Sequence, residues 1–444
     1  MTRRAILIAT LMTACIGLRS ALAAESWPQF RGPEGQGHSV ARNLPTTWSE
    51  NENVRWKTPI AGLGWSSPVV QGRQIWLTTA IEAEGSLRAV CVDRETGQVV
   101  HDVEVFKHAD LGRIASKNSH ASPTPILDGR NVFVHFGAHG TACLTTDGQV
   151  VWRQELKYDH RHGPGGSPVL WQDLLIVACD GPDEQYLIAL DKQTGEPRWR
   201  VEHDGEQAYS TPALTTVDGV DQLITSRGNA VIAYTPADGQ ELWRCSFTGH
   251  SVVPRPVVAA GTVYCCTGYW NPSLLAIRLG GAGDVTASHL AYTVRRGVPH
   301  NPSPLVTDGR LYMTTDLGIL TCLDAATGKE LWRQRLSGNY SASPTLADGK
   351  IYLLNEEGST LVIANSAKYE LLATNQLDGR TLASPAPVDG AIYLRTDTHL
   401  YRLEEPKNVR ASATLPIPKP SPAARQAGRP AEPLPKSSAN GFRR

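Results

Sequence analysis

Several residues of this chain carry groups suited to binding. They are the imidazoles of His120, His139, His162 and His300, the carboxylates of Asp180 and Asp316, and the guanidiniums of Arg227 and Arg255. The amide of Asn355 and the rings of Trp65, Tyr209, Tyr269, Trp270 and Tyr340 complete the set. Gathered in a concavity, such a mixture would hold a ligand or partner; taken singly, each is as well explained by a hydrogen bond to loop backbone. Imidazoles bind a metal only when several converge. Only His160 and His162 stand two apart here, so spacing assigns no metal site. No catalytic residue is assigned either: the chain has no His-Glu-x-x-His, Gly-x-Ser-x-Gly, P-loop or paired-cysteine zinc pattern. Cys265 and Cys266 lie in a segment, 264–267, that reads as a strand. Neighbours on a strand face opposite sides, so the two thiols are expected in separate layers.

Residues so distant in sequence need a repeat to bring them together. A small residue followed by Pro recurs at Ser67-Pro68, Ser122-Pro123, Ser167-Pro168, Thr211-Pro212, Ser303-Pro304, Ser343-Pro344 and Ser384-Pro385, with Arg255-Pro256 as a variant. Asp-Gly pairs that suit tight hairpins follow at Asp128, Asp218, Asp308, Asp348 and Asp389. A second signature, Ala-x-Asp-x-x-Thr-Gly-x-x-x-Trp, is complete from Ala189 to Trp199 and nearly so from Cys322 to Trp332. Near Cys91 it carries His101 in place of Trp. Units in the forties with these turns predict an all-β, eight-bladed β-propeller of four-stranded antiparallel blades. Each outer-strand Trp should pack near the Thr-Gly turn of the next blade. The last unit lacks an outer strand, and 53–59 reads like the outer strand around Trp332. That N-terminal strand is expected to close the ring.

In such a meander the connections into strand A share one face with the B-to-C connections. Trp65, His120, His162, Tyr209, Arg255, His300 and Tyr340 precede A strands; His139, Asp180, Arg227, Tyr269, Trp270, Asp316 and Asn355 fall in B-to-C loops. The opposite face is made of short uniform turns, so the varied face is where a site is expected.

Outside the ring, Arg3 and Arg4, the apolar run 5–18 and Ala21-Leu22-Ala23 read as a secretory signal over 1–24. This predicts a periplasmic protein. The alternative is Met12-Thr13-Ala14-Cys15 as a lipoprotein box, which would anchor the chain at Cys15. Residues 25–52 form an N-terminal extension, 53–405 the propeller, and 406–444 a Pro-rich basic tail expected to be disordered. The sharper reading of that tail is an electrostatic contact with anionic envelope polymer or lipid. Lys+Arg 43 balances Asp+Glu 43, which argues against general nucleic-acid binding. No other stretch reads as a transmembrane span.

These motifs resemble the pyrroloquinoline-quinone-like (PQQ-like) propeller repeat, over roughly 27–404. Quinoprotein dehydrogenases share this repeat with BamB, the lipoprotein of the outer-membrane β-barrel assembly machine. The opening Trp27-Pro28-Gln29-Phe30-Arg31-Gly32-Pro33 looks like the start of an extracytoplasmic "PQQ-binding-like" subgroup. The BamB-like side implies a non-catalytic envelope scaffold with a protein or polysaccharide partner. The dehydrogenase side implies a quinone-dependent oxidoreductase, with PQQ as cofactor and an adjacent-cysteine disulfide beside it. That pair belongs to an early blade there, whereas Cys265 and Cys266 fall in the fifth. No motif here matches the acidic residue and Asn that hold Ca²⁺ in those enzymes, or their catalytic Asp.

Overall fold

A computed structural model describes residues 25–406; the leader with Cys15 and the tail from 407 onward lie outside the described residues. Eight four-stranded antiparallel blades form the ring, and in seven of them strands A to D follow in sequence order. Blade 1 comprises Val69–Gln71, Gln74–Ile81, Ser86–Asp93 and Val99–Lys107. Blade 8 comprises Ala386–Val388, Ala391–Arg395 and His399–Glu404, and its outer strand is the N-terminal Val54–Pro59. Val54 pairs with Leu403 and Pro59 with His399, so the start of the ring closes its end. Among the described residues no helix is long and apolar enough to cross a membrane.

The core lies between blades. Trp76, Leu87 and Cys91 of blade 1 pack with Val132, Val134 and Leu144 of blade 2, and the same arrangement recurs around the ring. Outer-strand aromatics complete most joints, though not that of blade 7, whose outer strand Leu371–Gln376 carries none. The Trp56 indole donates to Arg94 O at 3.0 Å, Trp152 to Lys192 O at 3.0 Å and Trp199 to Pro236 O at 3.1 Å. Each ring lies so close to the glycine of the next blade's turn that a Cβ there would meet it within 3.0 Å. His101 covers Gly148, and Tyr292 covers Gly328, in the same way. Blade 4 departs from this rule. Blade 5's C-to-D connection adds a short strand, Gly283–Asp284, parallel to the outer strand Glu241–Ser246. There Trp243 is buried and donates to Gln222 of its own blade.

The Ser/Thr-Pro repeat forms a ring of hydrogen bonds. Except at Thr211, whose next blade carries Arg255, each backbone N–H at this position donates to the hydroxyl of the next blade, as in Ser167 to Thr211, Ser303 to Ser343, Ser343 to Ser384 and, closing the circle, Ser384 to Ser67. In blade 2 the hydroxyl belongs to Thr124, not Ser122, so the repeat sits one Pro further along than the sequence suggested.

Residues 27–39 run through the central channel. The inner edge of every A strand is unpaired toward the axis, and an open edge invites a partner. Trp27 pairs with Val70, and Pro28 O accepts from Leu127. Gln36 Oε1 accepts from Val258 N–H, Arg31 donates to Pro304 O at 2.7 Å, His38 pairs with Leu346, and Ser39 donates to Pro387 O. The segment therefore satisfies edges in blades 1, 2, 5, 6, 7 and 8. Gly35 has φ +68°, and a Cβ there would fall 2.1 Å from the Arg255 guanidinium, so glycine is required at this turn.

Candidate functional site

The channel is filled, so the expected site residues do not share one open concavity. Three groups emerge instead.

The first is structural. Arg255 is buried, and Nη1 donates to Phe30 O at 3.0 Å. Burial pushes its pKa down to about 10. Trp65 is buried beneath Arg380. Tyr340 is buried in the core between blades 6 and 7. Asn355 Oδ1 accepts from the N–H groups of Glu357 and Ser359, bracing its own loop. Asp180 Oδ1 accepts from Arg227 Nη1 at 2.6 Å, both buried, and His203 Nε2 lies 3.0 Å from the same oxygen. Burial pushes the Asp180 carboxyl up, but the Arg227 charge and the contacts from His203 and Arg227 together outweigh it and hold the group below the usual carboxylate range. The small cleft beside Asp180 is lined by Tyr158, His160, Gly165 and Tyr209. Across the loop face, Lys117 reaches Glu356 at 2.5 Å.

The second group is exposed. Tyr269 and Trp270 are 60% and 62% exposed, and Leu317 is 65% exposed. Trp270 stacks on His250 at 4.4 Å with rings 17° apart, and Tyr269 lies 5.1 Å from His300. His300 N–H and Asn301 Nδ2 donate to the two oxygens of Asp316, at 2.7 and 2.5 Å, fixing the adjoining loop.

The third is a set of histidines. His120, His139 and His160 offer ligand atoms all within 4.8 Å of one another. His162 is exposed beside Tyr209 and His300 lies in the aromatic group, so neither belongs to the set. Burial, with the neighbouring imidazoles adding to it, pushes His139 and His160 down to about 4. His160 and the channel segment were absent from the expected site. The loop His-Gly-Pro-Gly-Gly after His160 was the available signal for the first; for the channel segment it was the run of glycines around Arg31.

A quinone does not fit the residues present. Cys265 faces the layer between blades 4 and 5 and Cys266 the layer between blades 5 and 6, both as free buried thiols. The carboxylate–Asn pair of Asp316 and Asn301 is closed on itself, and the ring axis is occupied by residues 27–39.

Among solved structures, the ring resembles the quinohemoprotein alcohol dehydrogenase of Comamonas testosteroni. The TM-score is 0.64 at 11% identity, covering 85% of this chain and 80% of that one. It also resembles BamB of Moraxella catarrhalis, with TM-score 0.56 at 11% identity, covering 79% of this chain and 99% of that one. Both likenesses bear on the fold alone. In sequence, the chain is 28% identical over 200 residues to BamB of Legionella pneumophila (43% of this chain, 48% of that protein). It is 25% identical over 207 residues to BamB of Yersinia pestis (44% of this chain, 50% of that protein). The chain thus spans about half the length of these curated relatives. A profile described as outer membrane protein assembly factor BamB matches residues 42–182, 183–280 and 283–398, and the chain belongs to that family.

Proposed function

We propose that this protein is a non-catalytic scaffold of the cell envelope that binds a protein partner through its loop face. The observation that carries this reading is the exposed pair Tyr269–Trp270, braced by His250 and His300. Tyr and Trp dominate binding energy where they are held rigid and are free to be buried by a partner. Two further observations support it: the relatives named as assembly factors, and an axis already filled by the chain's own residues. The reading places the ring in the periplasm, with a cleaved signal or a lipid anchor at Cys15 upstream of it. The basic tail offers a second contact, to an anionic surface.

The test is cross-linking of the full chain in envelope extract, compared with Tyr269→Ala/Trp270→Ala. A protein cross-linked to the wild type and lost in the variant is expected, with the melting temperature unchanged. Equal capture by both, or retention of polysaccharide alone, would overturn the reading.

A further inference from the structure

We infer that His120, His139 and His160 form a binding site for a late first-row divalent cation of the Zn²⁺ class. The three side chains come from separate connections on the loop face. His120 lies in the connection from blade 1 to blade 2. His139 ends the 3₁₀ turn Gly137–His139 between strands B and C of blade 2, and His160 lies in the connection from blade 2 to blade 3. A bound ion would therefore tie three loops together.

The donor chemistry is all imidazole, which suits Zn²⁺ and its neighbours better than Ca²⁺ or Mg²⁺. His139 Nε2 is 3.2 Å from Leu111 O. A proton on that nitrogen leaves Nδ1 as the free lone pair, and a backbone carbonyl behind a ligating histidine is the usual orienting partner. His120 is 2% exposed, and its Nδ1 is buried without a hydrogen-bond partner. Leaving such an atom unpaired costs free energy that an ion would recover. His160 Nδ1 accepts the Ala138 N–H at 3.1 Å. Coordination through that nitrogen exchanges this hydrogen bond for the metal bond. The loop closes on His160 only because residue 137 is glycine: a Cβ there would lie 2.3 Å from Nδ1.

Zn–N bonds of about 2.0–2.1 Å place tetrahedral nitrogens about 3.3 Å apart. The present set spans up to 4.8 Å, so binding requires the loops to draw in by on the order of 1 Å. Three protein ligands leave the fourth position to water. The competing account is that the rings simply pack as small aromatics, His139 against His108 at 4.7 Å and against His160 at 5.1 Å.

The experiment is calorimetric titration of tag-free, metal-stripped full chain with Zn²⁺. One ion per chain is expected, with affinity lowered at least about tenfold in His120→Ala and His139→Ala. His162→Ala and His300→Ala should match the wild type. Zn²⁺ should also raise the melting temperature of the wild type but not of His139→Gln, a readout that does not depend on the alanine variants folding well. Absence of saturable binding by the wild type, or equal losses in the His162 and His300 variants, would overturn the site.

Discussion

Arg255 donates to the carbonyl of Phe30 at 3.0 Å, at the ring position where the other seven blades carry Ser or Thr. The missing hydroxyl is thus replaced by a side chain that holds the channel segment. At that joint the Ser210 hydroxyl donates to Pro254 O instead. One substitution in the repeat links ring closure to the plug.

Gly35→Ala should therefore dislodge the segment. The new Cβ collides with the Arg255 guanidinium in a backbone conformation that L side chains avoid. A loss of about 1–3 kcal/mol is expected. Thermal melts and limited proteolysis would measure it, with new cleavage near residues 30–40 as the specific sign.

Removal of residues 53–60 should destabilise the whole ring, because the edge of His399–Glu404 would lie open. Trp56→Ala tests the same joint more gently. Trp56 is half-buried, so its cost should fall below the ~3–5 kcal/mol of a fully buried Trp. An unchanged melting temperature in the deletion would contradict the role given to this strand.

Asp180→Asn should cost about 3–5 kcal/mol, since it leaves Arg227 charged and buried without a counterion. The folded-state pKa of Asp180 is depressed. Its stabilisation is therefore complete above the unfolded value of about 3.9 and is lost as pH falls through the folded value. Urea midpoints of wild type and variant should differ fully at pH 6, begin to approach one another only below about pH 4, and converge as pH falls through the depressed folded value.

Cys265 and Cys266 should remain thiols under air. Burial pushes both well above the ordinary thiol range, and they sit in different inter-blade layers. Thiol reagents should label neither in the native state and both after unfolding. Mass spectrometry showing a 265–266 disulfide in native protein would contradict this. Addition of quinone and Ca²⁺ should likewise produce no spectral shift and no dye reduction with alcohols.

The sequence by itself determined the number of blades, their strands, the closing strand and the aromatic-over-glycine joints. These features repeat with local period, and each repeat answers the same requirement of alternating strands and tight turns. It also separated Cys265 from Cys266, because strand alternation is local. Only the tertiary structure decided that residues 27–39 occupy the axis, that Arg255, Tyr340 and Asn355 are structural, and that His160, not His162, joins His120 and His139. Those outcomes depend on contacts such as Arg31 with Pro304, which no local pattern encodes. Which way each loop folds over the face is set by glycines and neighbours on other blades, as Gly137 is against His160.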